Sequence, residues 1–187
     1  MPLFCWHFCH FGIAFVLCIV VLGCSHTTSK HVDIDSRATN LTQSLESLSV
    51  QVLGQEADKV SNVLIETAIR LSDQYEMENP PLYHNMLVKM GLRDRGLCCH
   101  WAEDLHAALR KLNTSSLKFA WLVARQGSQL REHNSIVIYA EDNNWQQGIV
   151  FDPWRKAGVP FWTAVVEDDY PWKLHPLNGR WNVLRCK

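Results

Sequence analysis

The stretch Gly96-Leu97-Cys98-Cys99-His100-Trp101-Ala102, continuing as Glu103-Asp104-Leu105-His106-Ala107-Ala108-Leu109, opens a helical pattern with a pair of thiols. Cys98, Trp101, Leu105, Ala108 and Leu112 recur at alternating intervals of three and four. That period predicts a helix from near Cys98 to Leu112 with these side chains on one face, ended by Asn113. Cys98 falls in the first turn on the inner face, where unpaired backbone N–H groups and the positive end of the helix dipole favour negative charge on sulfur. Cys99 is rotated by about 100° and joins Glu103 and His106 on another face.

Toward the N-terminus, Arg93-Asp94-Arg95-Gly96 reads as a turn. It is preceded by a short helical piece from Leu82 to Met90 that runs out at Gly91, and Asn79-Pro80-Pro81 closes what comes before. Leu41, Leu45, Leu48, Val52, Val60, Leu64, Ala68, Leu71 and Tyr75 keep a helical spacing, so Leu41 to Tyr75 predicts one or two amphipathic helices, with Gly54 as the break. Toward the C-terminus the period changes. Lys118 to Arg125, His133 to Ala140 and Gln147 to Asp152 are short β-branched or aromatic runs separated by polar residues, which predicts strands of an antiparallel sheet. Pro153 closes the third, and Val159 to Leu184 adds strand and loop around Trp162, Trp172 and Trp181. Helices followed by strands define an α+β domain.

Of the 187 residues, 47% are hydrophobic and 20% charged, enough apolar material for a single packed core. The net charge of −1, with no Lys/Arg block, lacks the basic footprint that phosphate-backbone binding requires, so nucleic acid is not expected as a partner. Phe11 to Gly23 is an uncharged apolar run of 13 residues, the length of a signal-peptide core and too short alone to span a bilayer. It ends in Val21-Leu22-Gly23-Cys24, which looks like the lipobox of bacterial lipoproteins. That resemblance implies a signal over 1–23, lipidation at Cys24, a polar tether over 24–40, a domain over 41–187, and a place on the outer membrane facing the periplasm. The alternative is an uncleaved anchor, because Met1 to Gly23 carries no formally charged side chain. With Cys5, Cys9 and Cys18 in the targeting segment, Cys98, Cys99 and Cys186 remain for the domain. Three thiols are no disulfide framework, although one pair can form.

A nucleophilic thiol needs a base, and the base needs an acceptor that orients it. His133 opens one strand and Asp152 closes the next. A symmetric hairpin centred on Asp142-Asn143 sets the two directly opposite, on the same face of the sheet. Gly96-Leu97-Cys98-Cys99-His100-Trp101-Ala102 is similar to the Gly-x-Cys-x-x-x-Ala motif of transglutaminase-like enzymes. His133-Asn134-Ser135-Ile136-Val137 resembles their His motif and Phe151-Asp152-Pro153 their Asp-Pro motif, in the same order, with gaps of 35 and 19 residues. The resemblance covers Leu82 to Pro153. It implies a papain-like α+β fold with the nucleophile-bearing helix packed on an antiparallel sheet. It also implies a catalytic triad of Cys98, His133 and Asp152, amide chemistry through a thioester, and no cofactor. The expected partners are a peptide or protein substrate, cell-wall peptide among them, and the membrane through the lipid.

Two other readings stay open: an acyltransferase resembling the arylamine N-acetyltransferases, from Arg95-Gly96-Leu97-Cys98, and an idle peptide-binding module. Cys99 reads as a neighbour, or at most a resolving thiol in a vicinal disulfide. Arg93 and Arg95 flank the entry, holding a substrate carboxylate or framing the loop. Trp101 and Trp154 either wall a cleft or belong to the core. His84, His100, His106 and His175 show no metal-ligand spacing with the cysteines and read as surface or structural residues.

Overall fold

Four helices and five strands follow one another in the order the periods predict, in a computed structural model that describes residues 26–176 and 178, with side chains from residue 33. The segment 1–23 and the lipidation site expected at Cys24 lie outside the described residues. Helix α1 spans His26–Glu46, α2 Gly54–Gln74, α3 Pro81–Lys89 and α4 Cys98–Leu109. Strands β1 (Leu117–Ala124), β2 (His133–Ala140), β3 (Ile149–Phe151), β4 (Trp162–Ala164) and β5 (Trp172–Leu174) form one antiparallel sheet in the order β4-β3-β2-β1-β5. Gly54 opens α2, and the break predicted there occupies the turns just before it. Among the described residues no helix is long and apolar enough to cross a membrane.

The polar tether expected over 24–40 is helical instead from His26 on, and the compact unit that carries the rest of the fold starts at Ile34. Ala38, Leu41 and Leu45 are buried on one stripe of α1, with Ile34 packed against the same core. The interspersed hydroxyls hide this period in the sequence. In the fold they are satisfied within the helix, Thr39, Thr42 and Ser44 each donating to the carbonyl four residues earlier.

The sheet divides the apolar side chains by parity. Leu117 and Trp121 of β1, Ile136 and Ile138 of β2, and Ile149 and Phe151 of β3 join the helices in the larger core. Ala120, Leu122, Ala124, Val137 and Val150 face the other way and pack with Trp172. Fully burying one side chain of the size of Ile138 or Phe151 contributes about 1.5–3 kcal/mol, so these opposed rows hold the register of β2, the strand that begins at His133.

Helix α4 is set at its start by His100. Its Nδ1 accepts from the backbone N–H of Gly96 (3.1 Å) and of Leu97 (3.2 Å), an imidazole doing the work usually left to Glu or Gln at that place in a helix. Burial, helped by the Arg95 charge, lowers the His100 pKa to about 4, which keeps this acceptor unprotonated at neutral pH. Gly96, at φ +118, permits the tight approach. Its backbone passes the buried His84, whose Nε2 lies 2.9 Å from the Arg95 carbonyl oxygen.

Candidate active site

Cys98, at the first residue of α4, is a free thiol and 9% exposed. Its Sγ lies 3.9 Å from the Glu132 carbonyl oxygen, beside the first residue of β2. The first helical backbone bond runs from Trp101 N to Leu97 O, so the N–H groups of the opening turn have no acceptor within the helix. Cys99 is disulfide-bonded while Cys98 is free. The vicinal disulfide considered for the pair is therefore not formed, because the two side chains leave the helix on different faces.

His133 and Asp152 are brought together: Nε2 of the imidazole lies 2.6 Å from Oδ2 of the carboxylate, with both side chains almost fully buried. The register is not the one expected. Ile136 pairs with Phe151, Val137 with Val150 and Ile138 with Ile149, which moves the hairpin by two residues from a turn centred on Asp142-Asn143. The cause is the helical turn Trp145–Gln147, which takes up residues otherwise counted into the strand. A shift of two preserves the face because side chains alternate with period two. His133 and Asp152 become diagonal rather than direct neighbours, and a short reach closes the gap.

Asp152 has left the strand by this point. It precedes the turn Pro153–Lys156, and its carboxylate also accepts from the Arg155 backbone N–H (3.4 Å) and Nε (3.1 Å). The other end of the Arg155 guanidinium makes a two-pronged pair with Asp168 at 3.1 and 2.8 Å, and Asp168 further accepts from Trp172 Nε1 and Tyr170 N. Although burial resists ionisation of Asp168, the Arg155 pair outweighs it and lowers the Asp168 pKa. A buried carboxylate thus stands between two cationic groups, and the guanidinium is itself neutralised by a second acid.

Three aromatic rings surround the imidazole: Trp154 and Tyr170, each with its centroid 4.7 Å away, and Trp172 at 5.5 Å. Burial in this cage penalises a charged imidazole. The Asp152 carboxylate outweighs it, and with a further contribution from Cys98 the His133 pKa is pushed up to about 9. Nδ1 has no hydrogen-bond partner of normal geometry, and after Asp152 it is Cys98 that favours the charged ring. The result is an imidazole with one nitrogen tied to a carboxylate and the other without a hydrogen-bond partner, in a site where Cys98 also favours its charged form.

Trp154 walls the site, with its indole N–H on Asn85 of α3. Trp101 is core, 1% exposed and edge-on to Tyr75 at 5.1 Å. Arg95 is bound to Glu103 and Asp104, and Arg93 to Glu76 and Glu78, so both frame the loop before α4. His84, His100 and His106 are buried, and among the described residues no group of three His, Cys, Asp or Glu side chains has the geometry of a metal site. Arg155, Asp168 and Tyr170 were not singled out in the sequence, and Trp172 only as part of the C-terminal strand and loop. Their only signals are an Arg three residues after Asp152 and the acidic-aromatic run Asp168-Asp169-Tyr170-Pro171-Trp172. Comparison with protein-family models, with curated proteins and with solved structures finds no match for the chain.

Proposed function

We propose that the protein is a cysteine-dependent amide hydrolase or transamidase of the transglutaminase-like, papain-fold kind, working through a thioester on Cys98. The observation that carries this reading is the free thiol at a helix N-terminus beside an imidazole whose far nitrogen is 2.6 Å from a buried carboxylate. In the reaction, the Cys98 proton already resides on His133 Nδ1, as the raised imidazole pKa favours, and sulfur attacks the amide carbonyl carbon. The oxyanion that forms is met by the N–H groups at the start of α4. Collapse breaks the C–N bond, and the leaving nitrogen takes the proton from His133. Water or an amine then attacks the thioester, giving up its proton to His133, and the thiolate departs. Asp152 keeps the imidazole oriented and supports its charged form, and Arg155 holds Asp152 in place.

The sequence motifs over Leu82 to Pro153 support the family reading, and the α+β architecture with α4 against β2 is compatible with it. The lipobox-like Val21-Leu22-Gly23-Cys24 supports attachment to the bacterial envelope, with exported proteins or cell-wall peptides as substrates. Incubation with a peptide amide donor, an acid quench and intact-protein mass spectrometry should reveal an acyl adduct on Cys98 that hydroxylamine removes. An adduct that persists in Cys98→Ser, or none with any donor in a broad peptide set, would overturn the proposal.

A further inference from the structure

We propose that Arg125 selects acyl donors that carry a carboxylate two to three residues from the attacked carbonyl. This rests on Cys98 being the acylated thiol. Arg125 follows the last residue of β1, and that residue, Ala124, pairs directly with His133. The position is exposed, and its backbone is held in the left-handed region at φ +51, unusual for a residue with a Cβ. Its guanidinium lies 5.0 Å over the Tyr170 ring, and that same ring stands 4.7 Å from the imidazole of His133. A cation is thereby fixed two ring contacts from the reacting centre. An extended peptide covers this span in two or three residues at roughly 3.3–3.6 Å each.

The neighbouring charges are already committed. Arg155 also lies over Tyr170, but Asp152 and Asp168 neutralise it. Glu132, the acid nearest along the chain, has its carboxylate turned onto Gly127 N and Asn134 Nδ2. Among the described residues no carboxylate lies within ion-pair distance of Arg125. An arginine stacked on an aromatic plate is pre-organised to take a planar carboxylate in a fork, at a smaller loss of rotamer freedom than a lysine. The carboxylate comes either from a peptide C-terminus or from an acidic side chain.

The test uses the full chain and four chloroacetyl peptides: Gly-Gly as free acid and as amide, Gly-Glu-amide and Gly-Gln-amide. In each, sulfur of Cys98 displaces chloride from the chloromethyl carbon, and the proton it gave up stays on His133. The alkylation rate is followed by intact mass, and the site by digestion. One acid probe should react faster than its neutral twin by roughly threefold or more, consistent with a partly exposed ion pair. Preference within the Gly-Gly pair assigns a C-terminal carboxylate, and preference within the Glu/Gln pair a side chain. The ratio should fall toward one in Arg125→Gln, recover partly in Arg125→Lys and shrink at high salt. Equal rates for acid and neutral probes on an alkylated Cys98, or a preference retained in Arg125→Gln, would overturn the assignment while leaving the thioester reading intact. No alkylation of Cys98 by any probe would overturn both.

Discussion

Replacing Asp152 with Asn removes one charge from the site and almost no volume. In the native protein Oδ2 takes the His133 Nε2–H and the Arg155 Nε–H, while Oδ1 takes the Arg155 backbone N–H. An amide offers one oxygen where two are used, so either orientation turns an NH2 toward a donor. Burial of His133, which opposes its charge, is then left without the carboxylate that outweighs it, and the pKa of about 9 falls to the ordinary 6.5 or below. That difference corresponds to about 3 kcal/mol of preferential stabilisation of the imidazolium. Thioester formation passes through that imidazolium, so its rate should drop about 100-fold. The assay is a titration of the His133 ring by NMR, together with the pH dependence of Cys98 alkylation, in wild type and Asp152→Asn. A ring that still titrates near 9 in the variant would refute the role given to Asp152. So would a variant rate within about threefold of wild type.

Three further outcomes are expected. Under non-reducing conditions an electrophile should label Cys98 and leave Cys99 unmodified, because Cys99 is disulfide-bonded and Cys98 is free; peptide mapping that finds the label chiefly at Cys99 would contradict this. Gly96→Ala should destabilise the fold by about 2 kcal/mol and lower Tm by roughly 4–8 °C, since the backbone is at φ +118 and the added Cβ would come within 2.1 Å of His84 Nε2; an unchanged Tm would show that the loop relaxes freely. Stability measured by urea should peak near pH 6.5. Burial lowers His100 and His106 to about 4, so their contribution is full above 6.5 and is lost as pH falls toward 4. His133 is raised to about 9, so its contribution is full below 6.5 and is lost as pH rises toward 9; a profile flat from 4 to 9 would refute both signs.

Local periodicity was enough to place α2, α4 and β2, because each buries a stripe or row whose spacing survives in the sequence, while the Pro and Gly signals on either side delimit α3, whose one buried residue is His84; β2 runs from His133 to Ala140 as its composition predicts. The same logic put Cys98 at a helix start, and the period of two put His133 and Asp152 on one face. That conclusion outlived a wrong register, since the error was an even number of residues. The helical period of α1 is not legible because hydroxyl side chains dilute its stripe, and only packing against the core reveals Ala38 as buried. The partners of Asp152 lay beyond sequence reasoning for a different reason. Arg155 and Asp168 meet through the approach of a turn after β3 to the segment before β5, and no local pattern encodes that meeting. The rise of the His133 pKa is likewise tertiary. It is the balance between an aromatic cage assembled from Trp154, Tyr170 and Trp172 and a carboxylate held at 2.6 Å, and long-range contacts alone set both sides of that balance.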